Sequence, residues 1–427
     1  MKHTAPEDIE IQGSVAPGFE SVRARFEREV RTLREGGTQL CVYRGPDRVV
    51  DLWASATNAP DFSADSMVNV FSSGKSLAAI AIAALVGRGL LDYDAPVTDV
   101  WPAFGAEGKG DLTLADVMRH EAGLAALDTS IDPGDLLREN IKQNAVGRIL
   151  EAHRQKFRRG ERGAREYHAV TRGWIANEIF RRADPDGRTM GEFLAREIAG
   201  PLEADAAIGV PEEDLGRIAP VVPFGVQREL VESLKPAMFG RKTLHGFPEL
   251  AGRLIHLVSG LRHATTRGAP PPFEGMKGIT FFNKPTVARG ETPSANATCS
   301  ARGLAKIAAV MAAGGTWGEY RILSEGAWTA LHAKPVRKEM GVTATEFTQG
   351  GLNLFSAAAA RGTRIDRAFN EGREGFYGWM GLGGSVFQWH PGHTIGFGYV
   401  PTSLHVVDLF NERGKVYQAE VLRCLEG

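Results

Sequence analysis

An unbroken apolar run from Leu77 to Val86 is the feature of this sequence that most restricts its fold. All ten residues are alanine, leucine, isoleucine or valine, so a helix formed by them is apolar on every side. A helix of that kind is normally buried in the core of a large protein or in a membrane. Ten residues are too few to cross a bilayer, which requires about 20. We therefore expect this segment to be a helix buried in a globular core.

The residues just before the apolar run are chemically suited to nucleophilic catalysis. They read Ser72-Ser73-Gly74-Lys75, and Ser72 or Ser73 is expected to open the helix. Positions three apart share a helix face, so the Ser72 hydroxyl and the Lys75 amine can approach each other. The helix N-terminus favours negative charge, and burial lowers the pKa of a lysine toward that of a useful base. The alternative is a purely structural role, in which Ser72 caps the helix and Lys75 lies on the surface. This alternative has to be considered because Ser-x-x-Lys occurs by chance about once in a chain of this length.

The pattern along the rest of the chain predicts an α+β fold. Strand-like runs lie at Gln39–Tyr43, Arg48–Trp53, Ser66–Phe71, Ser385–His390, Thr394–Tyr399 and Ser403–Phe410. Helical periodicity or helix boundary signals occur at Gly18–Arg34, Leu114–His120, Asp135–Ala152, Thr171–Arg182, Met190–Ile198, Pro248–Ser259, Cys299–Ala313 and Gly414–Leu425. The Gly- and Pro-rich stretch Thr265–Asn283 predicts an irregular loop. We expect residues 1–100 and 300–427 to share one antiparallel sheet, with residues 101–299 forming a mostly helical inserted region.

Charge and cysteine content exclude several function classes. The formal net charge is −1, which gives no general attraction to nucleic acid or to an anionic membrane. Cys41, Cys299 and Cys424 are too far apart for a metal site or a disulfide framework. The acidic N-terminus does not resemble a signal peptide. We therefore expect a cytoplasmic protein with no metal or other cofactor and no nucleic-acid or membrane partner; the sequence does not indicate an oligomeric state.

Five groups of residues together resemble the class C-like superfamily of serine β-lactamases and penicillin-binding proteins. They are Phe71–Lys75 with Gly87–Asp92, Leu112–Leu124, Tyr167–Thr171 with Gly173-Trp174, Pro293–Asn296 with Ala301–Ala305, and Trp379–Ser385. The similar segments follow the family order from about residue 20 to residue 425. The resemblance implies a β-lactamase/transpeptidase-like fold, in which helices flank an antiparallel five-stranded sheet.

The same resemblance implies a role for each matching residue. Ser72 is the nucleophile that accepts the acyl group. Lys75 and Tyr167 share the general-base work, the lysine cation stabilising a phenolate that takes the Ser72 proton and returns it to the leaving group. A tyrosine with a pKa near 10 is a poor base alone, so Tyr167 needs Lys75 beside it. The backbone N–H groups of Ser72 and Leu382 form the oxyanion hole.

Two departures from the β-lactamase pattern indicate the substrate. Ala169 replaces the asparagine of the Tyr-x-Asn motif, and Trp379 and Met380 replace the first two residues of Lys-Thr-Gly. The second change removes the cation and the hydroxyl that bind a carboxylate, so a carboxylated β-lactam should bind poorly. Trp-x-Gly, ending at Gly381, resembles the family VIII carboxylesterases instead. The Trp379 ring offers an apolar surface to an acyl or alcohol group, although plain core packing explains it equally well.

We therefore predict a serine hydrolase, a carboxylesterase that cleaves small esters through an acyl-enzyme on Ser72, with amides as a further substrate class. Alternatives are an acyltransferase, a weak β-lactamase or D-amino-acid peptidase, and a catalytically silent scaffold protein. The predicted substrate pocket contains His168, Trp379, Met380, Gly381 and Asn296. His168 could form a hydrogen bond that supports a residue of the site from behind, or it could simply be packed in the core; the sequence favours neither role.

Other motifs in the chain have simpler explanations. The basic segment Arg154–Arg165 is expected to be a solvated loop face, with contact to an acidic substrate as the alternative. Gly74-Lys75-Ser76 is not a nucleotide-binding loop, because Asn69 stands where that loop requires glycine. The chain contains no Gly-x-Ser-x-Gly motif, which disfavours an α/β-hydrolase. His390–His393 is expected to be a turn and not a metal site.

Overall fold

The computed structural model describes residues 8–33, 35–56, 61–157, 165–236, 238, 241, 243–261, 264–341, 343–405 and 408–426. Its strands are β1 (Ile11–Val15), β2 (Thr38–Arg44), β3 (Asp47–Ala54), β4 (Val68–Asn69), β5 (Ala206–Ala207), β6 (Val222–Pro223), β7 (Thr298–Cys299), β8 (Thr316–Trp317), β9 (Tyr320–Arg321), β10 (Val336–Met340), β11 (Thr343–Phe347), β12 (Asn353–Leu354), β13 (Tyr377–Met380), β14 (Val386–His390), β15 (Ile395–Pro401) and β16 (Ser403–Leu404). Its α-helices are α1 (Glu20–Leu33), α2 (Gly74–Gly87), α3 (Leu114–Met118), α4 (Arg138–Lys142), α5 (Ala145–Ala152), α6 (Thr171–Ala183), α7 (Met190–Leu194), α8 (Val226–Ser233), α9 (Phe247–Leu261), α10 (Pro285–Arg289), α11 (Ala301–Ala312), α12 (Glu325–His332), α13 (Ala357–Ala360), α14 (Arg364–Asn370) and α15 (Glu412–Glu426).

The main sheet is antiparallel and joins both ends of the chain. Its order is β1-β3-β2-β15-β14-β13-β12-β11-β10. The first two predicted strands are present as an antiparallel hairpin, with β2 paired to β3. Strand β2 also pairs along its whole length with β15, from Thr38 opposite Pro401 to Arg44 opposite Ile395. The predicted α+β fold with an antiparallel sheet is therefore confirmed. The domain boundaries at residues 100 and 300 stay a prediction.

The expected number of five strands is wrong, because the sheet has nine. The additional strands lie toward the edges: β1 at one end, and β10 to β12 at the other. Edge strands carry charged side chains, as β10 does at Arg337, Lys338 and Glu339, and so lack the apolar pattern by which a strand is recognised. The strand expected at Ser403–Phe410 is also too long. Of the described residues in that segment, only Ser403–Leu404 form a strand, which pairs in parallel with β6 outside the main sheet.

Both faces of the sheet are covered by helices. Alternate residues of a strand point to opposite faces, and those of β2 enter two different hydrophobic clusters. Leu40 and Val42 pack with residues of α1 and α15, whereas Cys41 and Tyr43 belong to a larger cluster that contains α2 and α11. Every residue of α2 from Gly74 to Leu85 is buried, as its all-apolar sequence predicts.

Most predicted helices are present, with one clear exception. The segment Asp135–Ala152 is not one helix, since a 3₁₀ turn at Pro133–Leu136 is followed by the separate helices α4 and α5. Asn144 separates them with a left-handed φ of +64°, a conformation that asparagine adopts more easily than most residues. Among the helices of the described residues, none combines the length and the apolar content needed to cross a bilayer.

Candidate active site

Ser72 lies in a strained turn that leads into α2. A 3₁₀ turn spans Phe71–Ser73, and Phe71 has a φ of +47°, which is costly for a residue other than glycine. The Phe71 N–H donates to Asn69 Oδ1 at 2.7 Å, and Ser385 Oγ donates to the Val70 carbonyl at 2.7 Å. These bonds from neighbouring segments hold the turn in place, so that Ser72 stands just before the first turn of α2.

The three predicted catalytic side chains meet at one point. Tyr167 Oη lies 2.5 Å from Ser72 Oγ. Lys75 Nζ lies 3.0 Å from Ser72 Oγ and 3.2 Å from Tyr167 Oη. Lys75 Nζ also donates to two carbonyl oxygens, those of Ala169 at 2.7 Å and Ser294 at 2.9 Å. The amine therefore touches both hydroxyl groups while two backbone carbonyls hold it from behind.

Two glycines allow the Ser294 carbonyl to reach the lysine. The segment Pro293–Ala297 is held between α2 and α6. A Cβ on Gly74 would lie 2.6 Å from the Pro293 carbonyl oxygen, and one on Gly173 would lie 2.5 Å from the Ser294 nitrogen. Any side chain at either position would push the segment away. Sequence reasoning quoted this segment for its family resemblance but assigned no role to the Ser294 carbonyl.

The environment of Lys75 favours its neutral amine. Its side chain is completely buried, and no carboxylate among the described residues pairs with it. Burial lowers the pKa of Lys75 well below its usual value, and the nearby Arg172 cation lowers it further. A neutral amine has two N–H donors and one lone pair. With the two donors engaged by the carbonyls of Ala169 and Ser294, the lone pair is left for Ser72 or Tyr167.

The same burial favours the protonated form of Tyr167. Burial raises the pKa of Tyr167 to about 12, although the hydrogen bond with Ser72 opposes this. Burial of each group alone favours a neutral amine and a neutral phenol, whereas their closeness favours opposite charges, so the expected lysine cation and tyrosine phenolate stay a prediction.

Arg172 is a charged residue of the site that sequence reasoning missed. It lies in α6, is completely buried, and none of its three guanidinium nitrogens has a hydrogen-bond partner among the described residues. Its guanidinium carbon lies 5.2 Å from the centre of the Trp379 ring, and burial lowers the pKa of Arg172 to about 9. Its position inside the Tyr167–Trp174 motif was the available signal, but an arginine in a helix is usually exposed.

An apolar cavity of about 580 Å³ opens at Ser72. Its walls come from the nucleophile turn, the segment after β13, strand β11, and the loop around residues 272–282. The lining includes Phe71, Ser72, Tyr167, Ala169, Val170, Pro272, Met276, Ile279, Phe282, Ala295, Met340, Thr343, Phe347, Phe369, Trp379, Met380, Gly381, Leu382, Asp408, Leu409, Phe410 and Asn411. No described lysine, arginine or histidine lines it, and Asp408 is its one acidic side chain.

A comparison of the sequence with models of protein families identifies the family of this chain. The family model named Beta-lactamase matches residues 22–419, nearly the whole chain. The chain belongs to the β-lactamase family. It is thus a hydrolase of the serine β-lactamase family, and both the resemblance and the fold implied by it are confirmed, apart from the number of strands.

Known members of the β-lactamase family are similar over most of their length. Esterase/beta-lactamase LipL of Mycobacterium tuberculosis (strain ATCC 25618 / H37Rv) is 33% identical over 331 residues, which cover 75% of this chain and 69% of the relative. A crystal structure of a family VIII carboxylesterase is 26% identical with a TM-score of 0.74, and covers 97% of this chain and 100% of its own. A penicillin-binding protein homologue from Caulobacter crescentus is 26% identical with a TM-score of 0.73 and the same coverage.

The two departures from the β-lactamase pattern lie in the cavity wall. The Ala169 side chain lines the cavity while its carbonyl binds Lys75. The Trp379 indole N–H donates to the Gly351 carbonyl at 2.7 Å, and the ring stacks on Phe347 at 5.1 Å. Trp379 is therefore packed into the core and also forms a wall of the cavity, and its contact with an acyl or alcohol group stays a prediction. Met380 and Gly381 line the same wall.

His168 and Asn296 do not line the cavity, contrary to expectation. His168 Nε2 accepts a hydrogen bond from the Leu124 N–H at 2.9 Å, and burial lowers the pKa of His168 to about 4. The Asn296 amide donates to two backbone carbonyls, those of Val287 and Gly290. Both side chains thus hold backbone segments together. A buried polar residue beside a β-lactamase motif cannot be distinguished from a pocket residue by sequence alone.

The basic segment Arg154–Arg165 is only partly described, and Arg158, Arg159 and Arg162 lie outside the described residues. Arg165 is buried, forms an ion pair with Glu121 at 2.7 Å and donates to the Thr345 carbonyl. The expectation of a solvated face is therefore wrong for Arg165, and this residue does not line the cavity either.

Proposed function

We propose that this chain is a serine carboxylesterase that cleaves small, uncharged esters through an acyl-enzyme on Ser72. The observation that supports this most strongly is the convergence of Ser72 Oγ, Lys75 Nζ and Tyr167 Oη within 3.2 Å of one another. A nucleophile in contact with a base, at the mouth of an apolar cavity, is the arrangement that acyl transfer requires. Relatives named as an esterase/beta-lactamase and a carboxylesterase agree with it.

Acylation begins when Ser72 Oγ attacks the carbonyl carbon of the ester. The Ser72 proton passes to the neutral amine of Lys75, either directly or through the Tyr167 hydroxyl. We assign the oxyanion to the backbone N–H groups of Ser72 and Leu382, two residues that border the same cavity. When the tetrahedral intermediate collapses, the bond to the alcohol oxygen breaks, and that oxygen takes the proton from Lys75 or Tyr167.

Deacylation reverses the roles with water as the nucleophile. Lys75, again neutral, accepts a proton from a water molecule that attacks the acyl carbon bound to Ser72. Cleavage of the bond to Ser72 Oγ releases the carboxylic acid, and the proton returns to Ser72. An alcohol in place of water would make the same step an acyl transfer, so the acyltransferase alternative from the sequence stays open.

The cavity favours esters without a carboxylate. A bound carboxylate would lose its hydration and gain no cation, because the described lining contains none. The acidic side chain of the described wall, Asp408, is already paired with Arg413 at 3.4 Å. Apolar acyl and alcohol groups, in contrast, gain from contact with Phe71, Trp379 and their neighbours.

A fluorophosphonate probe and an ester assay test the proposal together. The wild-type protein should be labelled at Ser72 and should hydrolyse p-nitrophenyl butyrate, and Ser72→Ala should lose both properties. Ser14→Ala, which changes an exposed serine on β1, is the matched control and should keep both.

Each adverse result points to a specific alternative. An unlabelled wild-type protein without ester turnover would favour the silent scaffold. Ester turnover that survives in Ser72→Ala would exclude Ser72 as the nucleophile. Nitrocefin turnover comparable to ester turnover would overturn the substrate preference and favour the β-lactamase alternative.

A further inference from the structure

Helices α8 and α9 expose several apolar residues and bury several charged ones. In α8, Glu229 and Glu232 are buried while Val231 is 59% exposed. In α9, Arg253 is buried while Ile255 is 71% exposed. A surface helix of a protein surrounded by water normally has the opposite arrangement, with its apolar side inward. The inversion is clear in α8 and partial in α9, where Leu250 is buried and Glu249 is exposed. It indicates that the outer face of α8, with Ile255 of α9, meets an apolar environment.

The exposed large apolar residues of the molecule are concentrated at this place. Among the described residues there are seven, and five of them lie between positions 231 and 255. We call the set the apolar face; its members are Val222, Val231, Leu234, Met238, Phe247, Ile255 and Leu382. Single exposed apolar residues are ordinary, but a cluster of this kind marks an interaction surface.

The apolar face is anchored to the wall of the active-site cavity. Arg253 of α9 forms an ion pair with Glu412 at 2.5 Å, and its guanidinium carbon lies 5.4 Å from the centre of the Phe410 ring. Phe410 lines the cavity. From α8, Glu229 pairs with His405 at 3.2 Å, close to the same wall. The two helices therefore rest directly on the segment that encloses the substrate.

The face also reaches the mouth of the cavity. Val222 lies opposite Ser403 in the short parallel pair of β6 and β16. Gly383 packs so closely on Leu404 that a Cβ there would lie 2.5 Å from the leucine Cδ2. Its neighbour Leu382 is 43% exposed and lines the cavity. The β6–β16 pair thus connects Val222, just before α8, to the segment on which Leu382 borders the cavity.

We propose that the apolar face docks this enzyme on an anionic lipid surface, from which esters pass into the cavity at Ser72. The inference rests on the proposed esterase function and extends it to substrates held at a lipid–water interface. It revises the sequence expectation that the chain has no membrane partner, and it needs no membrane-spanning segment, because amphipathic helices bind such surfaces by lying in them.

The charges around the face favour anionic lipid over other occupants. On α8 both carboxylates point inward, whereas Arg228 is exposed beside the apolar residues. Lys235, paired at 2.7 Å with the inward Glu232, is 44% exposed. The exposed carboxylate of α9, Glu249, is paired with Arg253 at 3.0 Å. Cations next to apolar side chains are the composition that binds anionic lipid headgroups.

Vesicle flotation tests the proposal without using enzyme activity. Wild-type protein should float with phosphatidylcholine vesicles that contain phosphatidylglycerol, and less with phosphatidylcholine alone. Val231→Ser/Leu234→Ser should bind at least about tenfold more weakly, since two apolar side chains no longer enter the lipid. Arg228→Gln/Lys235→Gln should lose the preference for phosphatidylglycerol, whereas Arg44→Gln/Arg321→Gln, two exposed cations outside the face, should keep it.

Activity and mass measurements separate this inference from the proposed function. Val231→Ser/Leu234→Ser should hydrolyse dissolved p-nitrophenyl butyrate at the wild-type rate and lose turnover of an emulsified ester. Failure of the wild-type protein to float, or equal flotation of the apolar variant, would overturn the docking surface while fluorophosphonate labelling of Ser72 still supports the esterase. A wild-type dimer in sedimentation that becomes a monomer in the apolar variant would overturn it in favour of a second copy.

Discussion

The phenolic oxygen of Tyr167 lies 2.5 Å from the hydroxyl oxygen of Ser72, although 95 positions separate the two residues in the chain. Lys75 completes the triangle from the first turn of α2. The mechanism depends on this contact, because a proton leaving Ser72 has only the amine and the phenol within reach among the described side chains.

Removal of the Tyr167 hydroxyl should slow the reaction without unfolding the protein. We expect Tyr167→Phe to lower kcat/KM for p-nitrophenyl butyrate by about 10²–10⁴-fold, the usual contribution of a positioned proton-transfer group. The phenyl ring keeps its packing against Trp379, so the melting temperature should hardly change. The control is Tyr93→Phe, which removes a buried phenol whose oxygen has no hydrogen-bond partner among the described residues. Tyr167→Phe activity within tenfold of wild type would contradict the proton-transfer role.

Replacement of Arg172 by an uncharged residue should shift the pH dependence of kcat/KM to higher pH. Lys75 must be neutral to accept a proton, so activity falls as the pH drops below the pKa of Lys75. Burial chiefly lowers this pKa and the Arg172 cation lowers it further. Arg172→Met should therefore raise the pKa and shift the acid limb of kcat/KM to higher pH, whereas Arg172→Lys keeps a cation and should leave the limb near its wild-type position. An unmoved limb in Arg172→Met would show that Arg172 does not act on Lys75.

The same substitution should stabilise the fold. Arg172 is a buried charge without a hydrogen-bond partner among the described residues, and such a group costs about 1–3 kcal/mol or more. Methionine is similar in length and carries no charge. We expect Arg172→Met to raise the free energy of unfolding in urea by about 1–3 kcal/mol. A lower stability would mean that the guanidinium makes contacts that outweigh its desolvation.

A methyl group at Gly381 should disturb the nucleophile turn. A Cβ there would lie 2.1 Å from the Val70 carbonyl oxygen and 2.2 Å from Ser385 Oγ, so the backbone must move. We expect Gly381→Ala to lower ester turnover at least about tenfold, because small displacements of reacting groups are costly. Gly326→Ala in α12 meets nothing within 4 Å, and should keep full activity with slightly higher stability. Normal turnover in Gly381→Ala would contradict the need for close contact.

A cephalosporin and its methyl ester should be treated differently. The free carboxylate finds no cation in the described cavity lining, and Asp408 lies in the wall. We expect kcat/KM for lactam cleavage to be at least about tenfold higher for the methyl ester than for the acid, because burial of an unpaired charge is costly. Spectrophotometry of lactam opening at neutral pH measures both. Equal values would show that the carboxylate does not enter the cavity, or that a cation outside the described residues meets it.

Much of the fold and the core of the site could be predicted from local pattern. The ten apolar residues of α2 have to be buried wherever the chain folds, because exposed helix surface of that kind is unfavourable in water. The three-residue spacing of Ser72 and Lys75 brings their side chains to one helix face, since helix geometry is local. Tyr167 was found through a resemblance between motifs, because no local pattern relates it to Ser72.

Only the tertiary structure decided which other groups surround the lysine. The packing of α6 and the segment Pro293–Ala297 on α2 brings the Ser294 carbonyl into contact with Lys75 and places the Arg172 cation near enough to lower its pKa. The same packing places the side chains of His168 and Asn296 outside the cavity, where both form hydrogen bonds with backbone groups. Spacing along a chain determines neighbours within one helix or strand, whereas contacts between elements depend on how all the elements pack together, which no single segment specifies.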